Sequence, residues 1–204
     1  MDRTNHRSVG RKQGHVAYPE RADNPVPAIA RIVTALTAYE FDRGTEHFSH
    51  SNLEVTSIDV GNPAVNVIPA QARASFNIRF NDLWTPEKLQ ARITAVAEAA
   101  AGETTIEIVF APCNARAFLT SPGAFTELVA RSVREGTGRT PQLSTSGGTS
   151  DARFITRDCP VVEFGLLNET IHAVDENARI ADIDALTAVY GRVLESYFEE
   201  PWQA

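Results

Sequence analysis

Five histidines carry most of the chemistry this sequence can offer: His6, His15, His47, His50 and His172. His172 stands in GLLNETIHAVDE, just after a short apolar run. Ligands bind at strand ends in α/β proteins. A neutral imidazole is also the commonest metal ligand, with its second nitrogen oriented by an acceptor. Asp175 and Glu176 are close enough in sequence to be such acceptors. A satisfied structural histidine is the reading that composition alone favours. His15 lies in GHVAYP, where a loop imidazole can donate to a developing oxyanion. His47 and His50, three apart, could share a metal on a helix, but their polar loop offers no carboxylate beyond Glu46 and reads as solvated.

Two further segments could bind anions. STSGGTSD, from Ser144 to Asp151, is a glycine turn feeding a helix N-terminus, whose N–H groups suit a carboxylate or oxyanion. It lacks the Lys of a P-loop, which argues against nucleotide. Its bland alternative is a capped turn with no ligand. Arg79 sits on the polar face of a strand, where it could grip a carboxylate with both arms or simply face solvent. A serine hydrolase built on Ser146 or Ser150 with His172 and Asp175 would want a G-x-S-x-G elbow, and none is present.

The elements that must position these residues alternate between strand and helix. A short strand is expected over about residues 7–13. Asn24 and Pro25 open a helix with Ile29, Ile32, Val33 and Leu36 on one face. Asp42 to Asn52 reads as polar loop, and Leu53 to Val60 as a strand. ARASFNIRF, from Ala72 to Phe80, alternates apolar and polar residues and is the firmest strand of the chain. Thr85 and Pro86 open a helix carrying Leu89, Ile93, Val96 and Ala100, which Gly102 can end. Thr104 to Phe110 is again a strand. The order β-α-β-β-α-β predicts a ferredoxin-like two-layer sandwich over residues 1–111.

A second unit, residues 112–204, is predicted to hold a helix from Ser121 to about Gly136, a helix capped by Thr149 to Asp151, a buried strand at Pro160–Gly165 and a final helix capped by Asp182. With so few strands it reads as part of a domain.

Composition narrows the partners. A net charge of −7, a pI near 5.2 and no basic block argue against nucleic acid or an anionic membrane. No apolar run approaches the ~20 residues of a membrane span, and the polar N-terminus has no signal-peptide core. Cys113 and Cys159 fit no zinc or redox spacing and read as reduced cytosolic thiols.

Taken together and in order, GRKQGHVAYPERADNPV, SIDVGNPAVNVIP, FNIRFND, LSTSGGTSDARFI and CPVVEFGLLNETIHAVDE resemble the succinyl-diaminopimelate desuccinylases of the M20 family of co-catalytic zinc amidohydrolases. The resemblance runs from about Arg7 to about Tyr197. It implies a cytoplasmic α/β metallopeptidase-like catalytic domain interrupted by an α+β lid that forms the homodimer. Residues 1–111 would be the lid and residues 112–204 the C-terminal return of the catalytic domain. The implied reaction is hydrolysis of N-succinyl-LL-2,6-diaminopimelate to succinate and LL-2,6-diaminopimelate, for lysine and cell-wall precursor synthesis. Two zinc ions polarise a bridging water and the amide carbonyl, and a glutamate acts as general base.

By the same resemblance, His172 matches a zinc-ligand histidine and His15 the lid histidine that stabilises the oxyanion in the partner's site. Asn66 resembles a lid residue that contacts substrate across the dimer. Arg79 matches an arginine that binds a substrate carboxylate, and Gly148, Thr149 and Asn168 line the pocket. The other zinc ligands and the general base belong to motifs that precede the lid in the family and do not occur before Arg7 here. Glu199 and Glu200 lie at the other end, on a solvated helix face. Ala173 stands where the family often has Lys. The expectation is therefore a chain inactive alone, or else a dimerisation or regulatory module that pairs with a separate N-terminal half.

Overall fold

A computed structural model of the chain describes residues 4–8, 12–113, 117–145, 150–167 and 169–199. The chain divides into two compact units, Met1–Ala117 and Phe118–Ala204.

In the first unit, strands β1 (Thr4–Ser8), β3 (Asn52–Asp59), β5 (Ala72–Arg79) and β6 (Ile106–Phe110) form one antiparallel sheet in the order β3-β5-β1-β6. Helix α1 (Pro25–Thr37) connects β1 toward β3, and α2 (Pro86–Ala101) joins β5 to β6. This is the expected split β-α-β-β-α-β arrangement. The alternation of β5 decides which face is buried. Ala72, Ala74, Phe76 and Ile78 are buried, while Arg73 and Arg79 are exposed. Leu53 pairs with Ile78 and Val55 with Phe76, so β3 adds to the same apolar face. A bulge at Thr56 keeps Ile58 opposite Ala74, and the Thr56 hydroxyl donates to the Ser75 carbonyl at 3.3 Å.

Both helices start where their caps predict. The Asn24 side chain accepts from the Val26 N–H at 3.1 Å, and the Thr85 hydroxyl accepts from the Lys88 N–H at 3.3 Å. Ile32 and Leu36 of α1 meet Leu89, Ile93, Ala97 and Ala101 of α2 over Phe76. Arg31 adds a tie that the sequence pattern does not announce. Its guanidinium donates to the Ala100 and Ala101 carbonyls at 3.0 and 3.1 Å, satisfying the C-terminal end of α2.

Asp42 organises the loop between α1 and β3. Its carboxylate accepts from the Gly44 N–H (2.8 Å), the Ser51 N–H (3.1 Å), the Asn81 side-chain amide (2.7 Å) and the Trp84 indole (2.8 Å). Asn81, 2% exposed, also donates to the Ser49 carbonyl and accepts from the Leu83 N–H. Burial by itself would raise the Asp42 pKa. The hydrogen bonds from Ser51, the Gly44 backbone, Trp84 and Asn81 outweigh it and hold the carboxyl down at about 2.

The first strand differs from expectation. It spans Thr4–Ser8 and not residues 7–13; Lys12 and Gln13 carry no strand, and residues 9–11 lie outside the described residues. TNHRS has no alternation to reveal it. Its place is set by pairing on both sides, with Ala72–Phe76 of β5 and Ile106–Phe110 of β6.

The second unit holds α3 (Ala124–Thr137), the single turn α4 (Ala152–Ile155) and α5 (Ile180–Glu199). Leu128, Val129 and Val133 of α3 bury Val189 of α5. Gly136 permits this approach, since a Cβ there would stand 3.0 Å from Val189 Cγ2. Three boundaries shift. Helix α3 begins after Ser121 and Pro122, with Gly123 at its cap, and continues to a left-handed Gly138. Helix α5 starts two residues before Asp182, which lies in its first turn and holds Arg179 at 2.8 and 3.0 Å. Of the expected Thr149–Asp151 cap, Thr149 lies outside the described residues, and Asp151 makes no side-chain cap bond; the Ala152 N–H donates to Ser150 instead.

The larger correction concerns Pro160–Gly165. This apolar run is not a strand. Among the described residues the second unit contains no strand to pair with it, and a ladder needs a partner. Val162 and Phe164 instead lean on the α3–α5 core, and the Tyr190 hydroxyl bonds to the Phe164 carbonyl.

Candidate functional site

The residues with chemistry fall in three places. The first is a two-stranded ribbon in the first unit. Strand β2 (Gly14–His15) pairs antiparallel with β4 (Val67–Ile68), with His15 opposite Val67. One further bond, from the Val16 N–H to the Asn66 carbonyl at 3.1 Å, extends this pairing. The ribbon therefore brings the main chain at His15 and at Asn66, far apart in sequence, onto adjacent strands, and both residues are exposed. Asn62 braces the turn before it by donating to the Val67 carbonyl at 2.9 Å.

The His15 ring is oriented. Its Nδ1 accepts from the Ala17 N–H at 3.0 Å. A neutral imidazole so held carries its proton on Nε2, leaving that N–H as the ring's one donor. That is the form needed to donate to an oxygen gaining negative charge.

The second place is Arg79, the last residue of β5, exposed and opposite Asn52. Asn66 precedes the Ala72 end of β5, and Arg79 closes the other end. Eight strand residues put about 23 Å between Ala72 and Arg79. The structure therefore puts His15 and Asn66 on one ribbon and Arg79 in the other sheet.

The third place is the loop presenting His172 in the second unit. The Thr170 hydroxyl closes the base of this loop, donating to the Asn177 carbonyl at 2.8 Å and accepting from the Asn177 N–H at 3.1 Å. His172 and Asp175 both adopt φ of +60°, a left-handed conformation costly for residues other than glycine. The Glu176 carboxylate accepts from the His172 backbone N–H at 3.2 Å, so it fixes the main chain of the loop. Gly148, Thr149 and Asn168 lie outside the described residues.

No three His, Cys, Asp or Glu side chains converge among the described residues in a way that could hold a metal ion. His172 by itself does not fit one, because a stable zinc site takes three or four ligands. Cys113 and Cys159 are not joined in a disulfide. No helix among the described residues is long and apolar enough to cross a membrane.

What the pattern missed is the surrounding support. Asp42 and Arg31 each tie together segments that are distant in sequence. Only the Asp-x-Gly of Asp42–Gly44 hints at this, as an Asx turn.

Residues 4–105 match the family model of the M20 peptidase dimerisation domain. The chain belongs to the M20 peptidase family. A relative from Methylocella silvestris, named succinyl-diaminopimelate desuccinylase, is 60% identical over 190 residues, covering 92% of this chain and 49% of that protein. One of the same name from Beijerinckia indica is 55% identical over 191 residues, covering 94% and 50%. The chain thus spans about half the length of the curated relatives it matches. Among solved structures, the di-peptidase Dug1p from Saccharomyces cerevisiae aligns with a TM-score of 0.76 at 13% identity, over 98% of this chain and 55% of its own. A tripeptidase from Staphylococcus aureus aligns at 0.73 and 18%, over 98% and 52%. The M20 metallo-carboxypeptidase Sso-CP2 from Sulfolobus solfataricus aligns at 0.68 and 15%, over 96% and 58%. These neighbours share the mixed α/β fold.

Proposed function

We propose that this chain is the lid together with the C-terminal return of an M20 succinyl-diaminopimelate desuccinylase. The first unit forms the homodimer and brings His15 and Asn66 to the substrate. Arg79 grips a carboxylate, and His172 is one ligand of a zinc site whose other ligands come from the half of the family's length that this chain does not match. Gly148, Thr149 and Asn168 line the pocket. The single observation that supports the reading is the β2–β4 ribbon, which carries an oriented imidazole at His15 on the strand next to the one that Asn66 leads into.

The chemistry assigned to these residues is electrostatic. As the amide carbonyl is attacked, its oxygen gains charge, and the His15 Nε2–H donates to it. Asn66 offers an amide able to donate and accept toward the same substrate. The Arg79 guanidinium presents paired N–H donors that match a carboxylate, as a succinylated dicarboxylic amino acid requires. His15 lies in the β2–β4 ribbon and Arg79 at the end of β5 in the separate four-stranded sheet. In this reading one lid copy serves two active sites, with His15 and Asn66 acting in the partner's.

The test is turnover. The chain is mixed with the unmatched half of the Methylocella silvestris relative and assayed on N-succinyl-LL-2,6-diaminopimelate with zinc. The expected result is turnover in the mixture, none by this chain alone, and a loss of about 10²–10³-fold on His15→Ala. Turnover by this chain alone, or a mixture indifferent to His15→Ala, contradicts the reading.

The closed core of the first unit favours a second reading, a dimerisation or regulatory module that pairs with a separately supplied N-terminal half. Light scattering that finds a monomer at high concentration counts against both self-pairing readings.

A further inference from the structure

The loop that carries His15 is tied more tightly than an exposed loop needs to be. The Lys12 carbonyl accepts from the Asp23 N–H at 3.0 Å and closes it. Gly14 and Ala22 press together, since a Cβ at Gly14 would stand 2.6 Å from the Ala22 Cβ. Within the loop the Tyr18 N–H donates to the His15 carbonyl at 2.9 Å, and the Arg21 N–H donates to the Tyr18 carbonyl at 3.0 Å. These successive turns line up three side chains. The His15 and Tyr18 rings are 5.9 Å apart at 51°, and the Arg21 guanidinium lies 4.9 Å from the centre of the Tyr18 ring. Tyr18 is 51% exposed and Arg21 is exposed too, so neither builds the core. Their contacts lead instead to the imidazole.

We propose that Tyr18 and Arg21 are positioning residues that lock His15 in its Nε2–H form. The inference rests on the donor role given to His15 above. The torsion that turns an imidazole about its Cβ–Cγ bond is soft and roughly two-fold. In one orientation Nδ1 meets the Ala17 N–H, and the proton must reside on Nε2. In the flipped orientation Nδ1 loses that donor, and the proton distributes over both nitrogens. Tyr18 sits against the ring and restricts the flip. Arg21 holds Tyr18 by its attraction to the aromatic face, and Glu20, 3.4 Å from the Arg21 guanidinium, adds a weak solvent-exposed tether.

The experiment reads the tautomer directly, without substrate. Long-range proton–nitrogen spectra of the ¹⁵N-labelled full chain are recorded at about pH 8.5, where imidazoles are neutral. The expected wild-type spectrum has His15 Nε2 protonated and Nδ1 as an acceptor. Tyr18→Leu shifts the two nitrogen signals toward each other as the second tautomer becomes populated. Arg21→Gln does the same by a smaller amount, and Tyr18→Phe, which keeps the ring, retains the wild-type signals. Unchanged signals in Tyr18→Leu, or two tautomers in the wild type, overturn the proposal. If Tyr18→Leu disturbs the loop's amide signals, Arg21→Gln decides alone, since it leaves every backbone bond of the loop intact. In the reconstituted hydrolase Arg21→Gln lowers kcat at constant KM. A tautomer shift with no such change in kcat would count against the role of His15, while leaving the lock established.

Discussion

In Met1–Ala117 the apolar face of a four-stranded sheet lies beneath α1 and α2, and Phe76, Ile32, Leu36 and Ile93 are almost wholly buried. In Phe118–Ala204 a comparable apolar inventory is left half open. Val161, Val162 and Phe164 lie in no helix or strand and are only partly buried. Helix α5 shows the consequence most clearly. Val189 is fully buried against α3, yet Ile183, Tyr190 and Leu194, on an adjacent stripe at helical spacing, are 45%, 46% and 59% exposed. A helix with a second, uncovered apolar stripe is built to be packed on two sides. Hydrophobic sequence becomes core only when ladder pairing and helix coverage arrive together.

Four measurements sharpen or break that contrast. The largest effect belongs to the closed core. Phe76→Ala is expected to cost about 3–5 kcal/mol in urea unfolding of the first unit. Val162→Ala in the second unit costs under about 1 kcal/mol, because its side chain is only partly covered. Equal costs would erase the distinction.

Asp42→Ala comes next, at about 2–3 kcal/mol, because it removes the acceptor of the Trp84 indole and one acceptor of the buried Asn81 amide. Its pH signature is independent of that magnitude. The carboxyl titrates at about 2 when folded, against 3.8 ordinarily. Its stabilisation is therefore full above pH 3.8 and is lost as the pH falls through about 2. Acid-unfolding curves should flatten across that window in Asp42→Asn. An unaltered acid limb contradicts the network.

Arg31→Ala should cost about 1 kcal/mol through the two carbonyls it leaves at the end of α2, and exchange of the last α2 amides would accelerate. The smallest effect concerns the open unit. The chain should bind the dye ANS more than a compact monomer of its size. Negligible fluorescence would mean that the apolar stripe of α5 is covered.

The legible parts of the fold were those written locally. Asn24 and Thr85 announce their helices because capping is a contact across two or three residues. The alternation of Ala72–Arg79 announces β5 because its two faces meet different solvents. Strand β1 lies earlier than the expected 7–13, at Thr4–Ser8, since TNHRS is specified by its neighbours on both sides. Pro160–Gly165 shows the complementary case: its composition suits a buried strand, but a strand requires a partner. In the candidate site, His15 stands out in GHVAYP, whereas Asn66 is pointed to only by the family resemblance. The pairing of Val67 with His15, and the Ala17 N–H that orients the ring, are long-range or conformational facts that no spacing rule contains.

The most direct test of the contrast is amide hydrogen exchange, residue by residue, on the intact chain. The account predicts strong protection across Phe76–Ile78 of β5 and the middle of α1 and α2, and near-unprotected exchange at Val161–Phe164. Slow exchange at Val161–Phe164, matching β5, would mean that this run is paired after all, and the view of the second unit as an uncompleted layer would be wrong.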